Sequence, residues 1–107
     1  MLDNFEISPR DVKQLLEGGA TFLLVDVRQD WEHQLCRIEG ATLVPLHTIE
    51  SSLPLFEGAR EVVVYCHHGV RSLNAVVWLR QQGIAARSMS GGIARWAEEI
   101  DPSVPRY

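Results

Sequence analysis

The sequence predicts an α/β domain whose strands form a mainly parallel sheet with helices on both faces. Two apolar runs, at residues 22–27 and 62–65, are continuous rather than alternating, which is typical of strands buried on both faces. Segments with apolar residues at helical spacing separate the strands, and glycines or prolines mark most boundaries. Alternation of this kind requires right-handed crossovers, which place helices on the two sides of one sheet.

The first predicted elements are a short extended segment at residues 5–7, a helix, and the buried strand at residues 22–27. Ser8 supplies an N-cap for the helix, and Pro9 suits its first position. The helix has one apolar face and ends at paired glycines, and the residues concerned are Val12, Leu15, Leu16, Gly18 and Gly19.

The middle of the chain predicts a long polar loop followed by two small elements. Residues 28–41 have room for one helical turn, with three apolar anchors, Trp31, Leu35 and Ile38. A brief strand at residues 42–44 ends at Pro45, and residues 46–53 predict a short helix.

The second half predicts two strand-helix pairs and a non-helical tail. After the strand at residues 62–65, apolar side chains recur at helical spacing at Leu73, Val76, Val77 and Leu79. The last strand covers residues 86–90. Two glycines then lead to a helix whose apolar residues are Ile93, Trp96, Ala97 and Ile100, and residues 101–105 end it.

Length and charge limit the classes of function. A chain of 107 residues predicts one domain over 1–107, and a net charge of −4 argues against nucleic acid or an anionic membrane as a partner. Residues 1–6 show no signal peptide, and no apolar run reaches the ~18 residues of a membrane span. Two cysteines make neither a disulfide framework nor a zinc ligand set, so we expect a cytoplasmic protein without cofactor or metal.

The turn between the strand at residues 62–65 and the next helix carries the strongest chemical signal. It is short, and it places Cys66 at the carboxyl end of a parallel strand, where open α/β sheets bind ligands. The free amides of the helix N-terminus would point back at the sulfur and favour a thiolate. Arg71 adds a cation, and Gly69 allows the backbone to bend around an anion.

Simpler interpretations apply to the remaining candidates. A single cysteine is usually a packing residue, and Cys36, between Leu35 and Arg37, is interpreted as structural, with a resolving cysteine as the alternative. His33 and His47 are isolated, so a surface or local hydrogen-bonding role is expected. His67 and His68 are adjacent in a turn and predict tuning of an anion pocket rather than a metal site. The three tryptophans, Trp31, Trp78 and Trp96, are predicted to be core residues, and the Gly91-Gly92 pair to serve close packing or unusual backbone angles.

Three stretches together resemble the rhodanese (sulfurtransferase) family. The first runs Leu24-Val25-Asp26-Val27-Arg28, then Glu32, then Ile38-Glu39-Gly40-Ala41 and Val44-Pro45. The second is similar to the family's active-site loop and reads Cys66-His67-His68-Gly69-Val70-Arg71-Ser72. The third is similar to the closing motif and reads Ser90-Gly91-Gly92-Ile93-Ala94-Arg95-Trp96. Two departures are visible, because the family often has Gly-His where this chain has Cys36-Arg37, and many thiosulfate users carry a basic residue where it has His67.

The resemblance implies a central five-stranded parallel sheet and a cysteine that carries sulfur as a persulfide. On this reading Cys66 takes a sulfane sulfur from a small donor such as thiosulfate. A thiol, cyanide or a protein then accepts the sulfur, in a ping-pong reaction. The substrate and persulfide would lie in the loop formed by His67, His68, Gly69, Val70, Arg71 and Ser72. An ionised thiol needs no general base, which suits the expected absence of a carboxylate near the loop.

Two other functions remain open from the sequence. Phosphatases and arsenate reductases of related fold have five residues between the cysteine and the arginine, whereas Cys66 and Arg71 enclose four. The shorter loop accompanies a single sulfur atom in this fold family. The second alternative is a non-catalytic module that binds a partner or carries a persulfide.

Overall fold

Five parallel strands form the sheet at the centre of this computed structural model, which describes residues 5–107. The strands are β1 (Glu6–Ile7), β2 (Leu23–Asp26), β3 (Thr42–Leu43), β4 (Val62–Tyr65) and β5 (Ala86–Met89). Their order across the sheet is β1-β5-β4-β2-β3, and every pairing is parallel. The predicted mainly parallel α/β architecture is therefore confirmed. The prediction that residues 1–6 show no signal peptide falls partly on residues 1–4, which lie outside the described residues.

Within residues 5–107, four helices lie between the strands and a fifth follows the last strand. They are α1 (Pro9–Glu17), α2 (Asp30–Leu35), α3 (Leu53–Glu57), α4 (Val70–Gln81) and α5 (Gly92–Glu99), with a 3₁₀ turn at Leu46–Thr48. The predicted cap of α1 is present, since the Asp11 amide donates a 3.1 Å hydrogen bond to Ser8 Oγ. None of the helices within residues 5–107 is long and apolar enough to cross a membrane.

The central strand β4 divides its side chains between two hydrophobic clusters. Val63 and Tyr65 pack with residues of α1 and α5 on one face, and Val62 and Val64 pack with residues of α4 on the other. All four side chains are fully buried. Because helices cover both faces, β4 can consist of apolar residues throughout, as the continuous run in the sequence predicts.

Two predictions for the middle of the chain are wrong. Residues 46–53 do not form one helix, because the 3₁₀ turn ends at Thr48 and α3 begins only at Leu53. Proline is tolerated in the first turn of a helix, and Pro54 occupies that place in α3.

Trp31 and Leu35 are not core anchors, since their side chains are 58% and 46% exposed, whereas Ile38 is buried as predicted. The inner face of α2 is occupied instead by Glu32, a neighbour of Trp31, and this arrangement directs the tryptophan outwards. Trp96 is buried and Trp78 packs against the α4 cluster, so the core assignment holds for these two. Val77, predicted on the apolar face of α4, is 41% exposed.

Candidate active site

Cys66 follows β4 directly, at the carboxyl end of the central strand of the sheet. Helix α4 begins at Val70, so only residues 67–69 separate the cysteine from the helix. The turn requires Gly69, whose φ of +107° lies in the left-handed region that side chains disfavour. The Cys66 residue is 2% exposed, which places its sulfur inside the turn rather than on its surface.

Two backbone amides and one hydroxyl lie within hydrogen-bonding distance of the Cys66 sulfur. The amide of Gly69 lies 3.0 Å from Sγ, the amide of Ser72 lies 3.3 Å away, and Ser72 Oγ lies 3.4 Å away. Amides at the N-terminus of a helix stabilise an anion, and a thiolate sulfur is one. Of the predicted loop, Gly69 and Ser72 thus reach the sulfur directly, whereas His68 and Val70 are exposed at its rim.

Ser72 is supported by a second buried serine that the sequence did not indicate. Ser72 Oγ lies 2.7 Å from Ser88 Oγ on the neighbouring strand β5, and also 3.2 Å from the carbonyl oxygen of Gly69. Both serines are fully buried. The position of Ser88 within a predicted strand was the available signal, because a buried hydroxyl requires a partner.

The start of α5 holds the other side of the turn. The amides of Ile93 and Ala94 donate hydrogen bonds of 2.8 and 3.0 Å to the carbonyl oxygens of Cys66 and His67. This approach is so close that a Cβ at Gly92 would collide with the carbonyl of His67. The expectation of close packing and unusual backbone angles at Gly91-Gly92 is confirmed, since both glycines have positive φ.

Arg71 is paired with a buried carboxylate, which corrects the expectation of a loop without one. Its Nη1 and Nη2 atoms lie 2.7 and 2.9 Å from the two carboxylate oxygens of Glu32. Glu32 is 4% exposed, and these hydrogen bonds are the main reason why its pKa falls to about 2. Glu32 lies 39 positions before Arg71, so only the folded chain brings the two together.

Tyr107 is a further member of the site that sequence reasoning missed. Its hydroxyl donates a 2.7 Å hydrogen bond to Glu32 Oε2 and accepts one of 2.8 Å from Arg28 Nη1. Its ring stacks on the imidazole of His67, with centroids 3.9 Å apart and planes 5° from parallel. Burial is the leading cause that raises the pKa of Tyr107 to about 12, so the hydroxyl keeps its proton at neutral pH.

His67 and His68 stack on each other, with ring centroids 3.9 Å apart. Burial, followed by the proximity of His68, lowers the pKa of His67 below its usual value near 6.5. His67 is therefore mostly neutral at neutral pH. Within residues 5–107, no three histidine, cysteine, aspartate or glutamate side chains come together as metal ligands would.

Cys36 belongs to a separate buried network around Arg28. The guanidinium forms hydrogen bonds of 2.7 and 2.9 Å to the carboxylate of Asp26, and it also donates to the Cys36 carbonyl oxygen at 2.5 Å. The Cys36 sulfur lies 3.8 Å from Arg28 Nη1. His33 Nδ1 lies 2.9 Å from Asp26 Oδ2, which confirms a local hydrogen-bonding role for His33. Both cysteines are free thiols.

The geometry defines a class of protein before any relative is considered. A parallel α/β sheet carries, after its central strand, a buried cysteine whose sulfur is held by backbone amides at a helix N-terminus. Residues 8–99 match the rhodanese-like domain family, and the chain belongs to that family.

Relatives and solved structures agree with this membership. A sulfurtransferase of Allochromatium vinosum is 35% identical over 92% of this chain and 94% of its own length. The adenylyltransferase and sulfurtransferase MOCS3 of Oryza sativa subsp. japonica is 37% identical over 98% of this chain, but the match covers only 27% of that protein. The chain thus spans about a quarter of the first relatives that it matches. The crystal structure of a rhodanese-like domain protein from Staphylococcus aureus superposes with a TM-score of 0.82 at 30% identity, covering 95% of this chain and 97% of that one.

Proposed function

We propose that this protein is a sulfurtransferase that carries a sulfane sulfur on Cys66 as a persulfide. The observation that supports this function best is the coordination of the Cys66 sulfur by the Gly69 and Ser72 amides and the Ser72 hydroxyl. The proposal also draws on full-length relatives of similar size, which include the Allochromatium vinosum sulfurtransferase. We also propose that residues 1–107 form one rhodanese-like domain.

The first half-reaction transfers one sulfur atom from the donor to Cys66. The thiolate attacks the outer sulfur of thiosulfate, a new sulfur–sulfur bond forms, and the sulfur–sulfur bond of thiosulfate breaks. The electron pair of the broken bond leaves with sulfite, so the total charge is unchanged and no proton is transferred. Because the nucleophile is an anion surrounded by amide donors, this step requires no general base.

The second half-reaction returns Cys66 to its resting state. A thiophilic acceptor, such as cyanide, a thiol or a protein thiol, attacks the outer sulfur of the persulfide and leaves Cys66 as a thiolate. The amides of the turn stabilise the negative charge in both forms of the enzyme, because they are fixed before the reaction begins. The cation of Arg71 contributes less than a free arginine would, since Glu32 already neutralises it.

The charge on the donor is therefore balanced mainly by backbone dipoles. His67 is largely neutral at neutral pH and can contribute a hydrogen bond but not a full positive charge. The helix dipole of α4 and the inward amides are uncharged donors that do not titrate. Thiosulfate is the donor that we propose, and a sulfane sulfur bound to a thiol would react through the same bonds.

Intact-mass spectrometry tests the proposal directly. Reduced protein incubated with thiosulfate should gain the mass of one sulfur atom, and cyanide should remove it while thiocyanate appears. Peptide mapping should locate the added sulfur on Cys66 and not on Cys36, the matched buried thiol in the same chain. Failure of the wild-type protein to gain sulfur from thiosulfate or from an alkyl persulfide would contradict the proposed function.

An aryl phosphate assay separates sulfur transfer from phosphate hydrolysis. The four residues between Cys66 and Arg71 favour sulfur transfer over phosphate hydrolysis, so hydrolysis of the aryl phosphate should stay at background. Robust hydrolysis that is lost in Cys66→Ser would instead support a phosphatase of related fold.

A further inference from the structure

Residues 101–107 return from the end of α5 to the candidate active site. Val104 anchors this segment in the same hydrophobic cluster as Ile93 and Trp96 of α5. Beyond Val104 the chain reaches the loop, where Tyr107 contacts it. A cavity of about 180 Å³ lies between the loop and this segment, and His67, His68, Pro105 and Tyr107 are among its lining residues.

The hydroxyl of Tyr107 completes the hydrogen bonding of the Glu32 carboxylate. Glu32 Oε1 accepts from Arg71 and from the Gln29 amide, and Oε2 accepts from Arg71 and from Tyr107. Four donors therefore fix a buried carboxylate, and this carboxylate fixes the guanidinium of Arg71 in a two-pronged pair. Without the hydroxyl, Oε2 would keep only its hydrogen bond from Arg71.

The ring of Tyr107 acts on the other end of the turn. It lies flat against the imidazole of His67, the residue that directly follows Cys66. Stacked rings lose rotamer freedom, so the contact limits the motion of His67.

We propose that Tyr107 is a positioning residue for sulfur transfer, which holds His67 with its ring and Arg71, through Glu32, with its hydroxyl. Both held residues belong to the loop at residues 67–72, whose amides at Gly69 and Ser72 donate to the Cys66 sulfur. Tyr107 thereby keeps those amides aligned as the sulfur atom arrives and leaves, without touching the reacting atoms. This inference rests on the proposed sulfurtransferase function.

The ionisation of His67 provides a readout that separates the ring from the hydroxyl. The charged or titratable groups around His67 are those that act on its pKa or line the cavity beside it, namely His68, Glu32, Arg28, Arg71, Tyr107, Glu98 and Arg106. Glu32 raises the pKa of His67, whereas His68, Arg28 and Arg71 lower it. Burial is the largest cause of the lowered pKa of His67. Removal of the Tyr107 ring would admit water, so the pKa of His67 should rise towards its usual value near 6.5.

The test compares Tyr107→Phe, which keeps the ring, with Tyr107→Leu, which removes the ring and the hydroxyl. Ser103→Ala is the matched control, because Ser103 lies in the same segment but hydrogen-bonds only with Asp101 among the contacts described. Rapid-quench experiments would follow sulfur uptake from thiosulfate by Cys66, and NMR would follow the titration of His67.

In Tyr107→Phe the limiting rate of uptake should fall roughly tenfold, because small displacements of catalytic dipoles are costly. The half-saturating thiosulfate concentration should change less than about twofold, since the amides that bind the donor remain. The pKa of His67 should stay low in this variant and rise in Tyr107→Leu, which should also be the slower of the two. Ser103→Ala should match the wild type.

A limiting rate within about twofold of wild type in Tyr107→Phe would overturn the proposal, and so would a reduced loaded fraction with an unchanged rate. If Tyr107→Leu fails to fold, the uptake rate of Tyr107→Phe alone tests the positioning role, because this variant preserves the packing of the ring. Failure of sulfur uptake by the wild-type protein would instead overturn the proposed function, so the two failures are distinguishable.

Discussion

Cys66 and Cys36 are both buried free thiols, yet they lie at opposite ends of helices. Cys66 faces the N-terminus of α4, and its sulfur receives hydrogen bonds from two amides and lies 3.4 Å from the Ser72 hydroxyl. Cys36 terminates α2, where its own amide donates to the carbonyl of Glu32 and the helix dipole presents its negative end. Burial alone therefore does not distinguish a reactive cysteine from a structural one, whereas the orientation of the surrounding dipoles does.

The arginines near the two cysteines do not distinguish the two regions, because each is paired with a carboxylate. Arg28 lies 3.8 Å from the Cys36 sulfur, but its charge is balanced by Asp26 in a fully buried pair. Arg71, in the Cys66 loop, is likewise balanced by Glu32. Because an arginine accompanies both cysteines and both arginines are paired, the backbone amides make the difference between the two regions.

Replacement of each cysteine by serine gives the largest expected difference between the two regions. Cys66→Ser should lower the turnover of thiosulfate and cyanide at least about a hundredfold, because a hydroxyl cannot form a persulfide. Cys36→Ser should stay within about twofold of the wild type, provided that Arg28 keeps its other partners. Steady-state thiocyanate formation measures both. A large loss of turnover in Cys36→Ser would show that Cys36 relays sulfur and would contradict the distinction between a reactive and a structural cysteine.

Loss of the Ser72 hydroxyl should produce a smaller effect on the Cys66 side. Ser72→Ala removes one of the three groups around the sulfur, so the rate of sulfur uptake should fall roughly tenfold, the size expected for one hydrogen bond to a charged group. Ser51→Ala is the control, since Ser51 is exposed and its hydroxyl bonds only locally, to the carbonyl of Thr48. An unchanged uptake rate in Ser72→Ala would show that the amides suffice.

Glu32 connects the two regions, because it lies on the helix that ends at Cys36 and binds the arginine of the Cys66 loop. Its pKa is lowered to about 2 in the folded protein, so the carboxylate contributes stability above its unfolded value near 4.5. That contribution should disappear as the pH falls from about 4.5 through about 2. We expect a loss of about 1 kcal/mol, discounted because Arg71 is one-third exposed.

Urea unfolding at several acidic pH values measures this loss. Glu32→Gln cannot ionise, so its free energy of unfolding should be lower at pH 6 and should change less between pH 5 and the acid limit. Glu61→Gln is the control, because Glu61 also forms an ion pair with an arginine, Arg87, but is more exposed than Glu32. Parallel curves for wild type and Glu32→Gln would contradict the role assigned to this carboxylate.

The smallest effect is expected for the charge of His67. If an imidazolium held thiosulfate, the KM for thiosulfate would rise with pH across the histidine titration. Because burial and the proximity of His68 lower the pKa of His67 below its usual value near 6.5, its imidazole is mostly neutral above that pH. We therefore expect a nearly constant KM from about pH 6.5 to 8.5 and little change in His67→Gln. If KM rises steeply with pH and His68→Gln abolishes that rise, the more exposed histidine, His68, binds thiosulfate instead of His67.

Local patterns in the sequence were enough to predict most of the scaffold. The continuous apolar runs predicted β2 and β4, and the cap residues Ser8 and Pro9 predicted the start of α1. They failed where side chains compete for one face, as at Trp31, which is exposed because Glu32 takes the inner side of α2. They also failed at residues 46–53, where a 3₁₀ turn ends at Thr48 and α3 begins only at Leu53.

By itself the sequence determined the strand-turn-helix unit that contains Cys66, because short-range spacing decides which amides a helix N-terminus directs at the residue before it. Only the tertiary structure decided what surrounds that unit. Glu32, Ser88 and Tyr107 reach the loop from distant parts of the chain, at separations from Arg71, Ser72 and Glu32 of 39, 16 and 75 positions. The physical reason is that a buried polar group must find a partner in space, and no local pattern records which distant residue the fold brings within hydrogen-bonding distance.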